Sequence, residues 1–280
     1  MEMINLNNGI EMPALGLGTY LVSPENAEKC VREGLKMGYR LIDTANAYCN
    51  ERAVGRGIKS SGVQRKDIFV STKLWPSEFE NPNAVDETLE RLGLDYIDLL
   101  FIHQPAGNYM AGYRQIEKAV KDEKVRAIGL SNCEGRFLDE ILEKCEIKPQ
   151  VMQVEAHPYF TQDELRKTLE KYNIILMSWY PLGHGDKSLI QEPVFEKLAK
   201  KYNKTPVQII LRWHIDMGFC VIPGSSNVEH VKENFDILNF KLSKEDMEEI
   251  AKINKNKRYY TRTDEMLNYF ATLKFPYEKA

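Results

Sequence analysis

The sequence alternates between short apolar runs and longer segments in which apolar residues recur at helical spacing. The short runs, rich in Ile, Val and Leu, predict buried strands at residues 14–18, 39–43, 68–73, 97–103, 125–131, 150–154, 174–178 and 219–222. The longer segments predict helices at residues 24–37, 50–60, 83–92, 112–121, 135–145, 161–172, 193–215 and 228–235. Eight successive strand–helix units predict an α/β fold, a (β/α)8 TIM barrel, formed by one domain that spans residues 1–280.

Several segments modify this simple repeat. An Asn-Asn-Gly turn at residues 7–9 predicts a β-hairpin ahead of the barrel. Pro206 predicts a break inside the longest helical segment, and Ser243 begins one further predicted helix. Residues 254–280 lose regular periodicity but keep six aromatic residues, so we expect this C-terminal tail to pack as a loop over the barrel.

An open, doubly wound sheet is the alternative arrangement for alternating strands and helices. Sheets of that kind that bind a dinucleotide usually carry a GxGxxG motif after the first strand. The nearest candidate, GLGTYL at residues 16–21, lacks the third glycine, and GRG at residues 55–57 lies inside a helical pattern. A nicotinamide cofactor would therefore have to be held in another way.

Composition and charge narrow the possible partners. A net charge of −3 gives no reason to expect nucleic acid or an anionic membrane surface as a partner. No apolar stretch approaches the roughly 18 residues of a membrane span, and no signal peptide is predicted. The five cysteines form no CxxC pair and the five histidines form no HxH or HxxxH pair, so we expect reduced thiols, a cytoplasmic location and no metal. No feature marks an obligate interface, which predicts a monomer.

Four polar residues lie at or just beyond the ends of successive predicted strands: Asp43, Tyr48, Lys73 and His103. The C-terminal ends of the strands of a parallel barrel converge on one mouth, where the active sites of such barrels are found. A phenol, an ammonium, a carboxylate and an imidazole that meet there form a proton donor with groups that tune it. From these residues alone, a Schiff-base lyase that uses Lys73 is as open as a reductase.

Short motifs in a fixed order carry a family resemblance. They are GLGTY at 16–20, GYRLIDTANAY at 38–48, NERAVG at 50–55, STKLW at 71–75, DYIDLLFIH at 95–103, IGLSN at 128–132, QVEAHP at 153–158 and PLG at 181–183. Over nearly its whole length the chain resembles the aldo-keto reductases. The resemblance implies reversible hydride transfer between NAD(P)H and a carbonyl group.

The resemblance assigns a role to each of the four residues. Tyr48 would donate the proton, and His103 would donate a hydrogen bond that orients the carbonyl group. Lys73 would lower the pKa of the Tyr48 phenol, which is about 10 in a free tyrosine. Asp43 would hold Lys73 through a charge-assisted hydrogen bond.

The resemblance also implies a set of cofactor contacts. Ser131, Asn132 and Gln153 would bind the carboxamide, and Trp179 occupies the position of the family's usual tyrosine, which stacks on the nicotinamide. The remaining implied contacts are Gly18, Thr19, Asp43, Pro181, Leu182, Gly183, Ser225, Ser226, Asn227, His230, Glu233 and Asn234. A nicotinamide-binding barrel without catalysis is a further alternative.

The last predicted strand departs from the family pattern. The usual motif there is Ile-Pro-Lys-Ser, followed six residues after the lysine by an arginine, and these two cations hold the 2′-phosphate of NADP. This chain has Gly224 and His230 at the two positions. We expect a preference for NADP(H), and NAD(H) remains possible because neutral donors and a histidine discriminate less than lysine with arginine.

The predicted substrate is a small aldehyde or ketone. Tyr20, Trp75, His103 and Tyr109 are expected to line its pocket, together with aromatic residues of the tail. The segment after His103 is short, which predicts a fairly open pocket.

Overall fold

The computed structural model describes residues 1–277, so the last three residues of the predicted domain lie outside the described part of the chain. Its strands are β1 (Met3–Asn5), β2 (Glu11–Pro13), β3 (Leu17–Gly18), β4 (Leu41–Asp43), β5 (Phe69–Leu74), β6 (Leu99–Ile102), β7 (Ile128–Ser131), β8 (Val151–Glu155), β9 (Ile175–Trp179) and β10 (Cys220–Val221). Its helices are α1 (Pro24–Met37), α2 (Glu51–Ser61), α3 (Ala84–Leu92), α4 (Tyr109–Lys121), α5 (Arg136–Lys144), α6 (Asp163–Glu170), α7 (Lys187–Ile190), α8 (Pro193–Tyr202), α9 (Pro206–Asp216), α10 (Val228–Phe235), α11 (Lys244–Ala251) and α12 (Asp264–Thr272).

Strands β3 to β10 form one parallel sheet in sequence order. The two edge strands meet, because the N–H of Gly16 donates to the Val221 carbonyl and the N–H of Val221 donates to the Ala14 carbonyl, both at 2.9 Å. A further parallel bridge joins Gly18 to Gly224. These contacts close the sheet, and the predicted (β/α)8 barrel is confirmed.

The junction of β3 with the segment after β10 depends on two glycines. A Cβ atom on Gly18 would lie 2.8 Å from the Ile222 carbonyl oxygen, and one on Gly224 would lie 2.9 Å from the Gly18 carbonyl oxygen. Both distances are shorter than real Cβ contacts, so the two backbones approach this closely only because neither residue has a side chain.

The predicted hairpin is present and covers the N-terminal end of the barrel. Strands β1 and β2 pair in antiparallel fashion, and Leu6 and Met12 pack against apolar side chains of the barrel interior. The Asn7 amide donates to the carbonyls of Pro149 and Tyr172 at 3.0 and 3.1 Å. The hairpin thereby fills the end of the barrel opposite the mouth.

The long helical segment divides as predicted. Helix α8 ends at Tyr202, and α9 begins after Thr205, whose side chain accepts from the Gln208 N–H in a capping box. Pro206 occupies the first turn of α9, where its missing N–H does not remove a helical hydrogen bond.

The tail packs over the barrel as expected, but it contains helix α12, which the sequence pattern did not predict. Thr263 caps α12, and the indole N–H of Trp75 donates to the Leu273 carbonyl just beyond this helix at 3.0 Å. Among the helices of residues 1–277, none combines the length and apolar character required to cross a bilayer.

Candidate active site

A cavity of about 680 Å³ opens at the C-terminal ends of the barrel strands. Its volume lies within the range typical of small-molecule sites. Thirteen of the predicted site residues line it: Gly18, Tyr20, Asp43, Tyr48, Trp75, His103, Ser131, Asn132, Gln153, Trp179, Pro181, Leu182 and Asn234. Barrel closure therefore brings together residues that lie more than 200 positions apart in the sequence.

Lys73 and Asp43 form a buried ion pair beneath this cavity. The Lys73 ammonium donates to Asp43 Oδ2 at 2.5 Å and to the Thr44 carbonyl at 2.7 Å. Asp43 Oδ1 accepts from the Ser71 hydroxyl at 2.7 Å and from the Gln153 amide at 3.2 Å. Burial lowers the pKa of Lys73, and the Asp43 carboxylate opposes that shift. The pair is stable as charges because both members are hydrogen-bonded.

Tyr48 lies in a single helical turn, residues 46–48, that follows β4. Its ring centroid is 4.8 Å from the Lys73 ammonium and 5.7 Å from the His103 ring. Burial, and secondly the Asp43 charge, raise the pKa of the Tyr48 phenol well above its ordinary value. The direction is opposite to the expectation that Lys73 lowers it, because Asp43 opposes the charge of Lys73 while burial penalises the phenolate.

His103 follows β6 and faces Tyr48. Burial, with a contribution from the Lys73 charge, holds the pKa of His103 well below its usual range, so the imidazole is neutral at physiological pH. Its Nδ1 atom is buried without a hydrogen-bond partner among the described residues. The Trp75 indole packs edge-on against the His103 ring at 5.1 Å and fixes its orientation.

The predicted carboxamide-binding residues form a connected polar group. The Trp179 indole N–H donates to Asn132 Oδ1 at 3.1 Å, and the Asn132 amide donates to the Ser131 hydroxyl at 3.2 Å. Gln153 joins this region to Asp43 through the bond given above. Trp179 is half-buried, so part of its indole faces the cavity.

The loop after β9 carries Pro181 and Leu182 into the cavity wall, and Gly183 lies buried next to them. The imidazole of His214 on α9 lies with Nε2 3.1 Å from the Pro181 carbonyl. Burial lowers the pKa of His214 to about 3. Since a carbonyl oxygen can only accept, the neutral His214 donates its Nε2–H to Pro181 and thereby ties the loop after β9 to helix α9.

The residues predicted to hold the adenosine end lie beside the cavity rather than in its wall, apart from Asn234. Ser225 Oγ is 3.5 Å from His230 Nδ1, and Asn227 caps α10 by accepting from the Glu229 N–H. The Glu233 carboxylate accepts from the Thr205 hydroxyl at 2.8 Å. Two further predicted contacts, Thr19 and Ser226, also lie outside the wall, the first buried and the second exposed.

Tyr109 is the predicted substrate contact that the structure does not bring to the cavity. Helix α4 begins at Tyr109, three residues before the predicted start, and this turns the side chain toward α5. The Tyr109 hydroxyl donates to Glu140, and its ring packs edge-on against Phe137 at 5.5 Å. It lines a separate, smaller cavity.

Some cavity residues were not among the predicted contacts. Tyr180 has a left-handed backbone conformation, with φ of 51°, and Gln104 directly follows His103. Each is adjacent in sequence to a predicted site residue, which is the signal that could have identified it. Aromatic residues of the tail were expected at the cavity only as a group. The structure brings Tyr260, Phe270 and Phe275 into the wall, together with the aliphatic Leu273.

Among residues 1–277, no three His, Cys, Asp or Glu side chains are arranged to hold a metal ion. A parallel barrel whose mouth carries a half-buried phenol, a lysine–aspartate pair and a neutral imidazole can position a proton donor next to a molecule bound in the cavity. Comparison with known proteins specifies the class of protein.

Residues 14–255 match the model of the Aldo/keto reductase family. The chain is 44% identical to the glyoxal reductase of Bacillus subtilis (strain 168), over 95% of this chain and 98% of the relative. The crystal structure of MGS-M4, an aldo-keto reductase from a deep-sea metagenome library, superposes with a TM-score of 0.90 at 41% identity. The superposition covers 93% of this chain and 98% of the MGS-M4 chain. The Bombyx mori aldo-keto reductase in complex with NADP gives a TM-score of 0.87 at 32% identity, over 95% of this chain and 96% of that chain. The chain belongs to the aldo-keto reductase family and is an oxidoreductase.

Proposed function

We propose that this protein reduces small aldehydes and ketones to alcohols with NADPH, and that residues 1–280 act as one domain. The observation that carries the proposal is the convergence of Tyr48 and His103 in the cavity wall above the buried Lys73–Asp43 pair. This arrangement offers two hydrogen-bond donors to one carbonyl oxygen, with a positive charge close behind.

The residues around the cavity fit a nicotinamide cofactor. Trp179 offers a flat aromatic face, and Ser131, Asn132 and Gln153 place amide and hydroxyl groups next to it. Gly18 and Gly224, which have no side chains, form part of the cavity wall. When bound, the nicotinamide supplies a hydride to the carbonyl carbon.

The chain's own residues supply the proton and the electrostatic stabilisation. As negative charge develops on the carbonyl oxygen, the Tyr48 phenol donates its proton to that oxygen. A raised phenol pKa is compatible with this role, because an alkoxide is a far stronger base than a phenolate. The Lys73 ammonium, 4.8 Å from the ring, stabilises the phenolate that remains. Neutral His103 donates one N–H to the same oxygen and orients the carbonyl group.

The preference for NADPH rests on the family, whose members generally use NADP(H), and on the relative whose structure contains NADP. Ser225, Asn227 and His230 cluster at the start of α10, where backbone N–H groups favour an anion. The contact between Gly18 and Gly224 leaves no room for a lysine side chain at position 224 without a backbone shift. NADH is therefore a competing cofactor, discriminated against less strongly than in members with lysine and arginine.

The lyase alternative lacks a geometric basis. Lys73 is fully buried, makes two hydrogen bonds and is absent from the cavity wall. An amine in that position has no approach to a substrate carbonyl carbon. The monomeric state and the cytoplasmic location stay predictions from the sequence.

Replacement of Tyr48 by Phe tests the proposal. We expect Tyr48→Phe to reduce kcat for short aldehydes at least about 100-fold, the order expected for loss of a positioned acid. Binding of NADPH and NADH, followed by quenching of tryptophan fluorescence, should remain nearly unchanged. Retained turnover would refute the proton-donor role, and tighter binding of NADH than of NADPH to the wild-type protein would refute the cofactor preference.

A further inference from the structure

We propose that Glu155 is a positioning residue for the nicotinamide, and that it acts through Tyr260 on the indole of Trp179. The cofactor ring would then stack on an indole whose orientation depends on a carboxylate that does not touch the cofactor. This inference rests on the proposed function, since it concerns the cofactor that Trp179 would bind.

Glu155 is a buried carboxylate that the proposed proton transfer does not use. It is the last residue of β8, and only 1% of it is exposed. Removal of a carboxylate from water is costly unless hydrogen bonds replace the water. Glu155 is absent from the cavity wall, so any contribution to the site has to pass through its neighbours.

Three donors surround the Glu155 carboxylate. The backbone N–H of Tyr259 donates to Oε1 at 2.7 Å, and the backbone N–H of Tyr260 donates to Oε2 at 2.8 Å. The Nε2 atom of the fully buried His157 lies 2.9 Å from Oε1 and donates to it, because a carboxylate only accepts. Burial raises the pKa of Glu155, but these hydrogen bonds outweigh burial and hold the pKa below its ordinary value. Each carboxylate oxygen therefore holds one backbone N–H of the tail.

Tyr260 connects this anchor to Trp179. Its ring packs edge-on against the Trp179 indole, with the ring centroids 5.5 Å apart and the planes at 75°. Both residues line the cavity, and Trp179 is also the direct partner of Glu155 in the pairing of β8 with β9. Because an edge-to-face contact has a preferred geometry, a displaced Tyr260 backbone would change the tilt of the indole.

The effect should be confined to the nicotinamide end of the cofactor. The Trp179 indole N–H donates to Asn132 Oδ1 at 3.1 Å, so a tilted indole would also disturb a residue proposed to bind the carboxamide. The residues proposed for the adenosine end lie at the start of α10, and within residues 1–277 they share no hydrogen bond with Glu155 or Tyr260. Loss of the anchor should therefore weaken one half of the cofactor site and spare the other.

The test compares NADPH with 2′,5′-ADP, the adenosine half of NADPH without its nicotinamide. Glu155→Gln keeps the shape of the side chain but replaces one acceptor oxygen by an NH₂ group. We expect the Kd for NADPH to rise about threefold to tenfold, the range of one aromatic edge contact. The Kd for 2′,5′-ADP should change less than about twofold. If the wild-type protein prefers NADH, NADH and ADP serve for the same comparison.

Tyr260→Ala interrupts the same chain of contacts and leaves the backbone N–H in place. It should weaken NADPH binding to a similar extent, and it tests the inference even if Glu155→Gln fails to fold. Tyr260→Phe should restore the affinity, because the ring and not the hydroxyl contacts Trp179. Addition of Glu155→Gln to Tyr260→Ala should raise the Kd further by less than about twofold, since the two changes are not independent.

Glu192→Gln is the matched control. Glu192 also ties the tail to the barrel, since it accepts from the Lys255 ammonium at 2.9 Å and from the Tyr159 hydroxyl at 2.5 Å, but these contacts involve neither Tyr260 nor Trp179. This variant should leave the Kd for NADPH unchanged. Equal losses of NADPH and 2′,5′-ADP in Glu155→Gln, or unchanged NADPH binding in Tyr260→Ala, would overturn the inference. Wild-type protein that binds neither NADPH nor NADH would instead refute the proposed function, and the inference with it.

Discussion

The half-buried Tyr48 phenol determines the pH dependence of the proposed reaction. Burial and Asp43 raise its pKa well above the ordinary value of about 10, so the donor keeps its proton throughout the neutral and moderately alkaline range. The pKa of His103 is held well below its usual range, so its imidazole is already neutral at pH 6 and does not change its charge above that pH. We expect the single-turnover rate of carbonyl reduction to remain level between pH 6 and about pH 9.5.

Single-turnover reduction at saturating cofactor, measured across that pH range, checks this expectation. If Lys73 lowered the pKa of the phenol instead, the rate of reduction would decline with a midpoint below pH 9. A midpoint of this kind in the rate of reduction, with none in the pH dependence of cofactor binding, would contradict the raised pKa of the Tyr48 phenol.

His214 links protonation to stability. Burial lowers its pKa in the folded protein from 6.5 to about 3, so the unfolded chain binds more protons between these values and stability is lost as the pH falls below about 6.5. The expected loss from this residue between pH 7.5 and pH 5 is about 2 kcal/mol. His214→Gln, which can still donate to Pro181, should remove that part of the decrease.

Urea unfolding of both proteins at the two pH values measures the difference. Other buried histidines contribute equally to the wild type and the variant, so their effect cancels. An unchanged pH dependence in His214→Gln would show that His214 does not remain neutral in the folded protein.

At the level of single residues, the sequence predicted which side chains meet at the barrel mouth better than it predicted their electrostatics. Asp43, Tyr48, Lys73 and His103 could be identified because the end of a parallel strand is a local property with a known position in a barrel. The pKa of Tyr48 could not, since it depends on burial by residues distant in sequence. Tyr109 was misplaced because the sequence pattern put it in the loop before the helix, whereas it is the first residue of α4 and its ring packs against α5.

Helices α2 and α3 pack so closely that no side chain fits at Gly55. A Cβ atom on Gly55 of α2 would lie 2.0 Å from the Leu92 carbonyl oxygen at the end of α3. In an open helix, Gly→Ala stabilises by up to about 1 kcal/mol. Here the two helices would have to separate, so we expect Gly55→Ala to lower the free energy of unfolding by about 1–3 kcal/mol.

Thermal and urea unfolding measure this effect, with Ser60→Ala as the control because Ser60 is exposed on the same helix. The control should change stability by less than about 0.5 kcal/mol. A more stable Gly55→Ala protein would mean that α2 and α3 do not pack as closely as the structure describes.

The elements themselves were largely predictable from periodicity. The barrel strands appear at the predicted places because a strand buried on both faces is a short continuous apolar run. Helix α12 was missed although Thr263 and the acidic residues after it form a typical helix start. Its inward-facing residues Leu267, Phe270 and Ala271 do lie at helical spacing, but the exposed aromatic Tyr269 beside them obscures this stripe in the sequence.

On the scale of the whole molecule, α12 and the residues after it complete the proposed substrate side of the cavity, whereas earlier residues form the proposed cofactor side. Phe270, Leu273 and Phe275 line the cavity next to Trp75, and the strands that carry the cofactor contacts all precede residue 222. Closure of the barrel by hydrogen bonds between Gly16 and Val221 does not involve the tail. A chain that ends at residue 263 should therefore fold.

We expect that shortened chain to bind NADPH within about threefold of the wild-type affinity, but to show a KM for aldehydes at least about tenfold higher. The reason is the loss of apolar contact, since each buried large side chain contributes about 1.5–3 kcal/mol and tenfold corresponds to about 1.4 kcal/mol. Tyr269→Ser, which changes an exposed side chain of α12, is the control and should leave KM unchanged. Equal losses of cofactor and aldehyde binding in the shortened chain would mean that the tail supports the whole barrel mouth rather than the substrate wall alone.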